Sequence, residues 1–257
     1  MKISALPLLI IGLCLTLVIT VSGQERHALF TEILHDYVHD GHVQYERLCR
    51  DSRLPVYLDQ LRETEPDSLS GRREQLAFWL NAYNAFTLKL ICDNYPLKSI
   101  NELHFGGLYI GTVLKKTAWD RKFITIGSRP LSLNDIEHRI IRAQFGDPRV
   151  HFALVCASNS CPPLREEAYE GYLLPEQLDD QGMRFFAQQE KNRFDIADHR
   201  AIISPILKWY RKDFGGSREA VLTYISRFLP DSLRAAILTD PSAWQVSYSS
   251  YDWQLNR

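Results

Sequence analysis

Between Glu74 and Lys89 the sequence carries no charge. Apolar or small side chains fill most of Arg72-Arg73-Glu74-Gln75-Leu76-Ala77-Phe78-Trp79-Leu80-Asn81-Ala82-Tyr83-Asn84-Ala85-Phe86-Thr87-Leu88-Lys89-Leu90-Ile91. The run reads as a helix over 72–93, and a helix that is apolar all round must be buried all round. The rest of the chain therefore has to wrap it. Two asparagines interrupt the run. Asn81 and Asn84 are three apart, hence on one face, and a buried amide must find partners. They either tie neighbouring loops to the core or line a binding site.

The surrounding pattern is mainly helical. Leu29, Phe30, Ile33, Leu34, Tyr37 and Val38 recur at helical spacing over 25–40. A short helix follows at 54–63. Ser132 and Asp135 form a capping-box pair, and Ile136, Ile140 and Ala143 give the helix they open a buried stripe. Residues 175–190 read as a helix, Ser204-Pro205 starts another, and 217–229 and 231–238 add two more. Strand-like runs are short: 42–45, 123–126, a hairpin around Asp198-His199 and 244–248. The expected class is α+β, a mainly helical single domain spanning 24–257 around a small central β-sheet that contains residues 150–156.

The first 23 residues read as a signal peptide. Lys2 is their one charge, an apolar run extends from Ile3 to Val21, and Val21-Ser22-Gly23 supplies small residues for cleavage. An uncleaved run of this length would instead anchor the chain in a membrane. The expected location is periplasmic or secreted, with membrane contact only through that segment if it is retained. Net charge is −1 over the whole chain, which excludes the basic excess of a nucleic-acid binder. Besides Cys14 there are Cys49, Cys92, Cys156 and Cys161. An even number in an oxidising compartment allows disulfides, although the sequence does not choose the pairing. Phe105-Gly106-Gly107-Leu108-Tyr109-Ile110-Gly111 lacks the glycine spacing and following helix of a phosphate loop. His35, His39 and His42 read as a solvated face, because no further ligand stands at a fixed offset. No cofactor or metal is expected.

Chemistry concentrates in 147–165. Asp147-Pro148 turns the chain into the apolar run Val150-His151-Phe152-Ala153-Leu154-Val155-Cys156, which ends in Ala157-Ser158-Asn159-Ser160-Cys161-Pro162-Pro163-Leu164-Arg165. A strand running into a polar loop is a common way to present a site. Read as a strand, 150–156 places His151 and Cys156 on opposite faces. Cys156 would then look to the loop and to His138, and His151 toward Asn81 and Asn84. Glu137 and His138 are successive on a helix, so they would not point the same way.

Four stretches together resemble the DUF547 domain family: Ala77-Phe78-Trp79-Leu80-Asn81-Ala82-Tyr83-Asn84-Ala85; Ser132-Leu133-Asn134-Asp135-Ile136-Glu137-His138; Asp147 to Cys156 with Ser160-Cys161-Pro162; and Lys208-Trp209-Tyr210-Arg211-Lys212-Asp213-Phe214. The motif-bearing core is about 70–215. The family is defined by sequence and has no assigned activity, so the resemblance implies a family and no reaction.

The residues themselves suggest two functions. One is a thiol-dependent hydrolase or acyl transferase of the cell envelope, with Cys156 as nucleophile, His138 or His151 as base, and Glu137, Asn81 or Asn84 orienting the base. A Cys156–Cys161 disulfide would occupy that nucleophile. The other is a non-enzymatic module that binds a small-molecule or envelope ligand through Asn81, Asn84, His151 and Arg165.

Overall fold

The computed structural model describes residues 26–103 and 117–257. The leader expected over 1–23 and the run 105–111 lie outside the described residues.

Three helices wrap one side of the central helix. They are α1 (Ala28–Tyr37), α2 (Tyr45–Leu48) and α3 (Arg53–Glu63). Phe30, Ile33 and Leu34 of α1 and Leu54, Tyr57, Leu58 and Leu61 of α3 are buried, at the spacing that puts side chains on one helical face. Phe30 stacks on Tyr57 with centroids 4.7 Å apart. Between α1 and α2 the chain makes a hairpin of β1 (Val38–His39) and β2 (His42–Val43). Its Gly41, at φ +83°, sits so close to Pro163 that a Cβ there would lie 2.6 Å from the proline side chain. The side chains of His35, His39 and His42 are exposed.

The uncharged run forms α4 (Arg72–Cys92), and every residue from Leu76 to Leu88 is buried. Cys49 and Cys92 lie at disulfide distance and fasten the end of α2 to the end of α4. Strands β3 (Ile124–Ile126) and β4 (Arg129–Leu131) pair antiparallel. Ser132 then exchanges hydrogen bonds with Asp135: the Ser132 N–H donates to Asp135 Oδ2 (3.0 Å), and Ser132 Oγ accepts from the Asp135 N–H (3.1 Å). The helix they open, α5 (Asp135–Phe145), is wound as a π-helix and packs against α4.

The strand expected over 150–156 is not formed. Residues Val150–Ala153 make one helical turn, α6, and Leu154 returns to extended backbone. The deciding contacts precede the apolar run. Asp147 Oδ1 accepts from the Arg149 N–H at 3.0 Å, and the Val150 and His151 N–H groups donate to Asp147 O and Pro148 O, each at 3.2 Å. An aspartate that bonds the backbone two residues on starts a turn. A short apolar run alone does not distinguish a strand from a buried helical turn.

A second core follows. It is built by α7 (Leu174–Ala187), β5 (Arg193–Asp195), β6 (Arg200–Ile203), α8 (Ile206–Trp209), α9 (Arg218–Ile225), α10 (Asp231–Thr239) and β7 (Gln245–Tyr248). β6 is the middle strand, antiparallel to β5 and parallel to β7. Phe152, Phe185, Phe186 and Phe228 pack ring to ring, with centroids 5.2–5.9 Å apart. α6 belongs to both cores: Val150 and Ala153 pack with α4, and Phe152 with the aromatic group. The mainly helical α+β class holds, and the sheets are small and do not contain 150–156.

Candidate functional site

The two asparagines of α4 act on backbone. Asn84 Nδ2 donates to Ala153 O and its Oδ1 accepts from the Val155 N–H, both at 3.0 Å. Asn81 does the same to one residue, donating to Tyr169 O (2.8 Å) and accepting from the Tyr169 N–H (2.9 Å). Each amide offers a donor and an acceptor side by side, as a neighbouring strand would, and so satisfies polar groups that burial has cut off from water. Arg165 is also buried. It donates to Glu167 Oε1 (2.6 Å) and Asp180 Oδ2 (2.5 Å), pinning the loop after Pro162-Pro163 to α7. These three expected binding residues bolt the scaffold and do not line the cleft described next.

At the seam between the two cores opens a cleft of about 380 Å³. Leu154, Cys156 and Cys161 come to it from the chain after α6, and Glu137 and His138 from α5. Trp209 and Tyr210 come from the end of α8, and Tyr251 and Trp253 from the segment after β7. Trp119 and Tyr83 complete the aromatic wall. His151 lines the cleft together with Cys156, which strand alternation had placed on opposite faces, and it does not turn toward Asn81 and Asn84. Glu137 and His138 also share this wall, against the expectation from ordinary helical winding. The i→i+5 winding of a π-helix changes how successive side chains face, and such winding is frequent at functional sites.

Behind the wall runs a polar network. Arg142 grips Asp213 with two bonds, Nε to Oδ2 at 2.8 Å and Nη2 to Oδ1 at 2.9 Å. The two charges cancel, and the guanidinium beside Asp213 holds its carboxyl below the usual carboxylate range. Asp213 Oδ2 lies 2.7 Å from His151 Nε2. Burial pushes the His151 imidazole toward the neutral form, against the opposing pull of Asp213. The pair is therefore a neutral imidazole on a carboxylate that Arg142 already balances. A carboxylate only accepts, so Nε2 carries the proton and donates it, leaving Nδ1 with the lone pair. Arg142 Nη1 lies 3.0 Å from His138 Nδ1. Arginine only donates, so His138 Nδ1 accepts and the proton of a neutral ring sits on Nε2. One histidine thus presents a base, and the other a donor.

Tyr210 joins the two halves of the network. Its hydroxyl donates to Glu137 Oε1 at 2.5 Å, its ring stacks on His151 with centroids 3.9 Å apart, and the Arg142 guanidinium lies 4.9 Å from its centroid. Burial and the Glu137 carboxylate push its hydroxyl pKa far up, which keeps it a donor.

Cys156 and Cys161 lie at disulfide distance. Ala157 turns the chain between them at φ +62°, a left-handed conformation that costs a non-glycine residue about 1–2 kcal/mol. Cys156 Sγ lies 3.2 Å from Ser158 Oγ and 3.3 Å from the Tyr251 hydroxyl. Burial raises the Tyr251 hydroxyl to about 12. Among the described residues no hydrogen bond joins either sulfur to a histidine.

Sequence reasoning missed Asp213, Arg142, Tyr210 and the aromatic wall. Two signals were present: Arg142 follows His138 by one ordinary helical turn, and Asp213 lies in the Lys208–Phe214 motif. Neither signal says what the residue faces.

Residues 66–186 match the family model DUF547, "Protein of unknown function". No curated protein and no solved structure matches.

Proposed function

We propose that this chain, whose residues 66–186 match the DUF547 family model, is a thiol-dependent hydrolase or acyl transferase of the cell envelope that works while Cys156 is reduced. The observation that carries the reading is that Cys156, His138 and His151 line one cleft, with His151 anchored through Nε2 on Asp213. That arrangement is the base and orienting group of a nucleophilic triad. The Cys156 thiol gives its proton to His151 Nδ1, and the thiolate attacks a carbonyl carbon to form a C–S bond. The oxyanion meets the His138 donor. Collapse breaks the bond to the leaving group, which takes the proton back from His151. Water, or a second nucleophile, then releases the acyl group from sulfur. The envelope location rests on the Lys2-led apolar N-terminus and on the Cys49–Cys92 pair at disulfide distance, which the mechanism does not use.

The test uses the reduced full chain and iodoacetamide, read by intact mass, alongside p-nitrophenyl acetate as a generic acyl donor. The expected result is alkylation at Cys156 and an acyl-enzyme burst, with both lost in Cys156→Ser and the burst slowed at least tenfold in His151→Gln. A Cys156 that stays unalkylated in the reduced native protein sinks the proposal. The cysteine pairing favours a second reading, a cleft that binds without covalent chemistry; its ligand binding would survive Cys156→Ser unchanged.

A further inference from the structure

We infer that the cleft receives a cationic ammonium group, a quaternary ammonium or a protonated amine, held against the aromatic surface formed by Trp209, Tyr251, Trp253 and Trp119 and attracted by the Glu137 carboxylate that lines the same cleft. The inference rests on the same cleft as the proposed function but not on its thiol chemistry. It names the substrate class if the protein is an enzyme, and the ligand class if it only binds.

The rings form a connected surface. Trp209 and Tyr251 have centroids 4.9 Å apart, Tyr251 and Trp253 4.5 Å, Trp209 and Trp253 6.0 Å, and Trp119 and Trp253 6.2 Å. Trp209 is 50% exposed although it lines the cleft, so part of a large apolar ring is left uncovered where a partner is expected. Tyr210 is not part of this surface, because His151 stacks on its ring and Arg142 lies over it. An aromatic face is the negative end of a quadrupole and attracts cations within about 6 Å of its centroid.

Charge separates this reading from its competitors. With histidines counted neutral, Glu137 is the one formal charge among the described residues lining the cleft. Arg142 and Asp213 lie behind the wall and cancel each other. No described lysine or arginine side chain lines the cavity. The described lining offers an anionic ligand no lysine or arginine to pair with, and a neutral saccharide could stack on the indoles but would bring no positive charge to Glu137, whose Oε1 already accepts from the Tyr210 hydroxyl. An ammonium group satisfies both rings and carboxylate. The volume of about 380 Å³ leaves room beside such a group for the remainder of a molecule, extending toward Cys156.

The experiment titrates choline, its neutral isostere 3,3-dimethyl-1-butanol, and chitobiose into the oxidised full chain, following tryptophan fluorescence and calorimetry. Choline should bind saturably and at least tenfold more tightly than the isostere, a ratio on the scale of one desolvated cation–π contact. Trp209→Ala and Glu137→Gln should each weaken choline at least tenfold, with circular dichroism and thermal unfolding unchanged. Trp209→Phe should retain most of the binding, which a merely structural tryptophan would not predict. Equal binding of choline and the isostere, preference for chitobiose, or no saturable choline binding overturns the inference. Alkylation of the reduced protein is scored separately. Choline binding with an inert Cys156 leaves this inference standing and removes the thiol mechanism, and the opposite result does the reverse.

Discussion

Asn84→Ala should destabilise the protein by about 3 kcal/mol, although Asn84 touches no ligand. The residue is 3% exposed and holds two backbone groups, Ala153 O and the Val155 N–H, each at 3.0 Å. Alanine leaves both without a side-chain partner. A buried polar group stripped of its bond costs about 1–3 kcal/mol, so two of them, with partial relaxation, give the figure above. Asn84→Asp is the sharper variant. It has the same shape and can still accept from the Val155 N–H, but it sets a carboxylate oxygen against the Ala153 carbonyl. Only its protonated form can donate there, so its folded-state pKa is raised. Its deficit should therefore be largest at neutral pH and shrink as pH falls toward about 4, the ordinary carboxyl value. Urea unfolding of the wild type and both variants between pH 4 and pH 8 measures this. The site provides a second readout, because the same backbone carries Cys156: alkylation of the reduced variants should lose its dependence on His151. A cost under 1 kcal/mol for Asn84→Ala, with Asn84→Asp tracking it at every pH, refutes the reasoning.

Two further predictions concern stability. Glu170 is buried, its Oε2 has no hydrogen-bond partner among the described residues, and burial with the nearby Glu74 raises its carboxyl from 4.5 to about 7. A carboxyl raised in the folded state holds its proton longer than in the unfolded chain. Stability should therefore fall by up to about 3 kcal/mol as pH rises from 4.5 to 7, and Glu170→Gln should flatten that slope in pH-dependent thermal unfolding. An unchanged slope removes Glu170 as its source. Gly182 of α7 packs so tightly that a Cβ would lie 2.6 Å from a Phe228 ring carbon. Gly182→Ala should cost about 1–3 kcal/mol through overpacking, despite alanine's better helix propensity, and a gain in melting temperature would contradict it.

The sequence was legible where one element decides its own structure. The uncharged run gave α4 within a residue or two, and the hairpin at Asp198-His199 formed as β5 and β6 with His199 at φ +47°. It was illegible where a few hydrogen bonds outweigh a pattern. The Asp147 turn converts a short apolar run that reads as a strand into a helical turn, and that change brings His151 and Cys156 to one cleft. The π winding of α5 reorients Glu137 and His138 for a reason that spacing rules do not carry. Asp213 shows the third limit. In the sequence it is one residue of the Lys208–Phe214 stretch, and its role arises only from Arg142 and His151, 71 and 62 residues away.

The segment after β7 is woven through the rest of the molecule. Leu255 N donates to Lys98 O, Asn159 N to Gln254 O, Val43 N to Asn256 O, and the Tyr45 hydroxyl to Asn256 Oδ1, at 2.7–2.9 Å. It also supplies Tyr251 and Trp253 to the cleft. During synthesis, α4 and the helices around it can collapse, and Cys49 can meet Cys92, long before those rings leave the ribosome. The cleft has no such early form. Until Tyr251 emerges, Cys156 and Cys161 lack the hydroxyl that lies 3.3 and 3.4 Å from their sulfurs in the folded chain. The cleft is thus completed last, by residues far in sequence from the cysteines and histidines that share it.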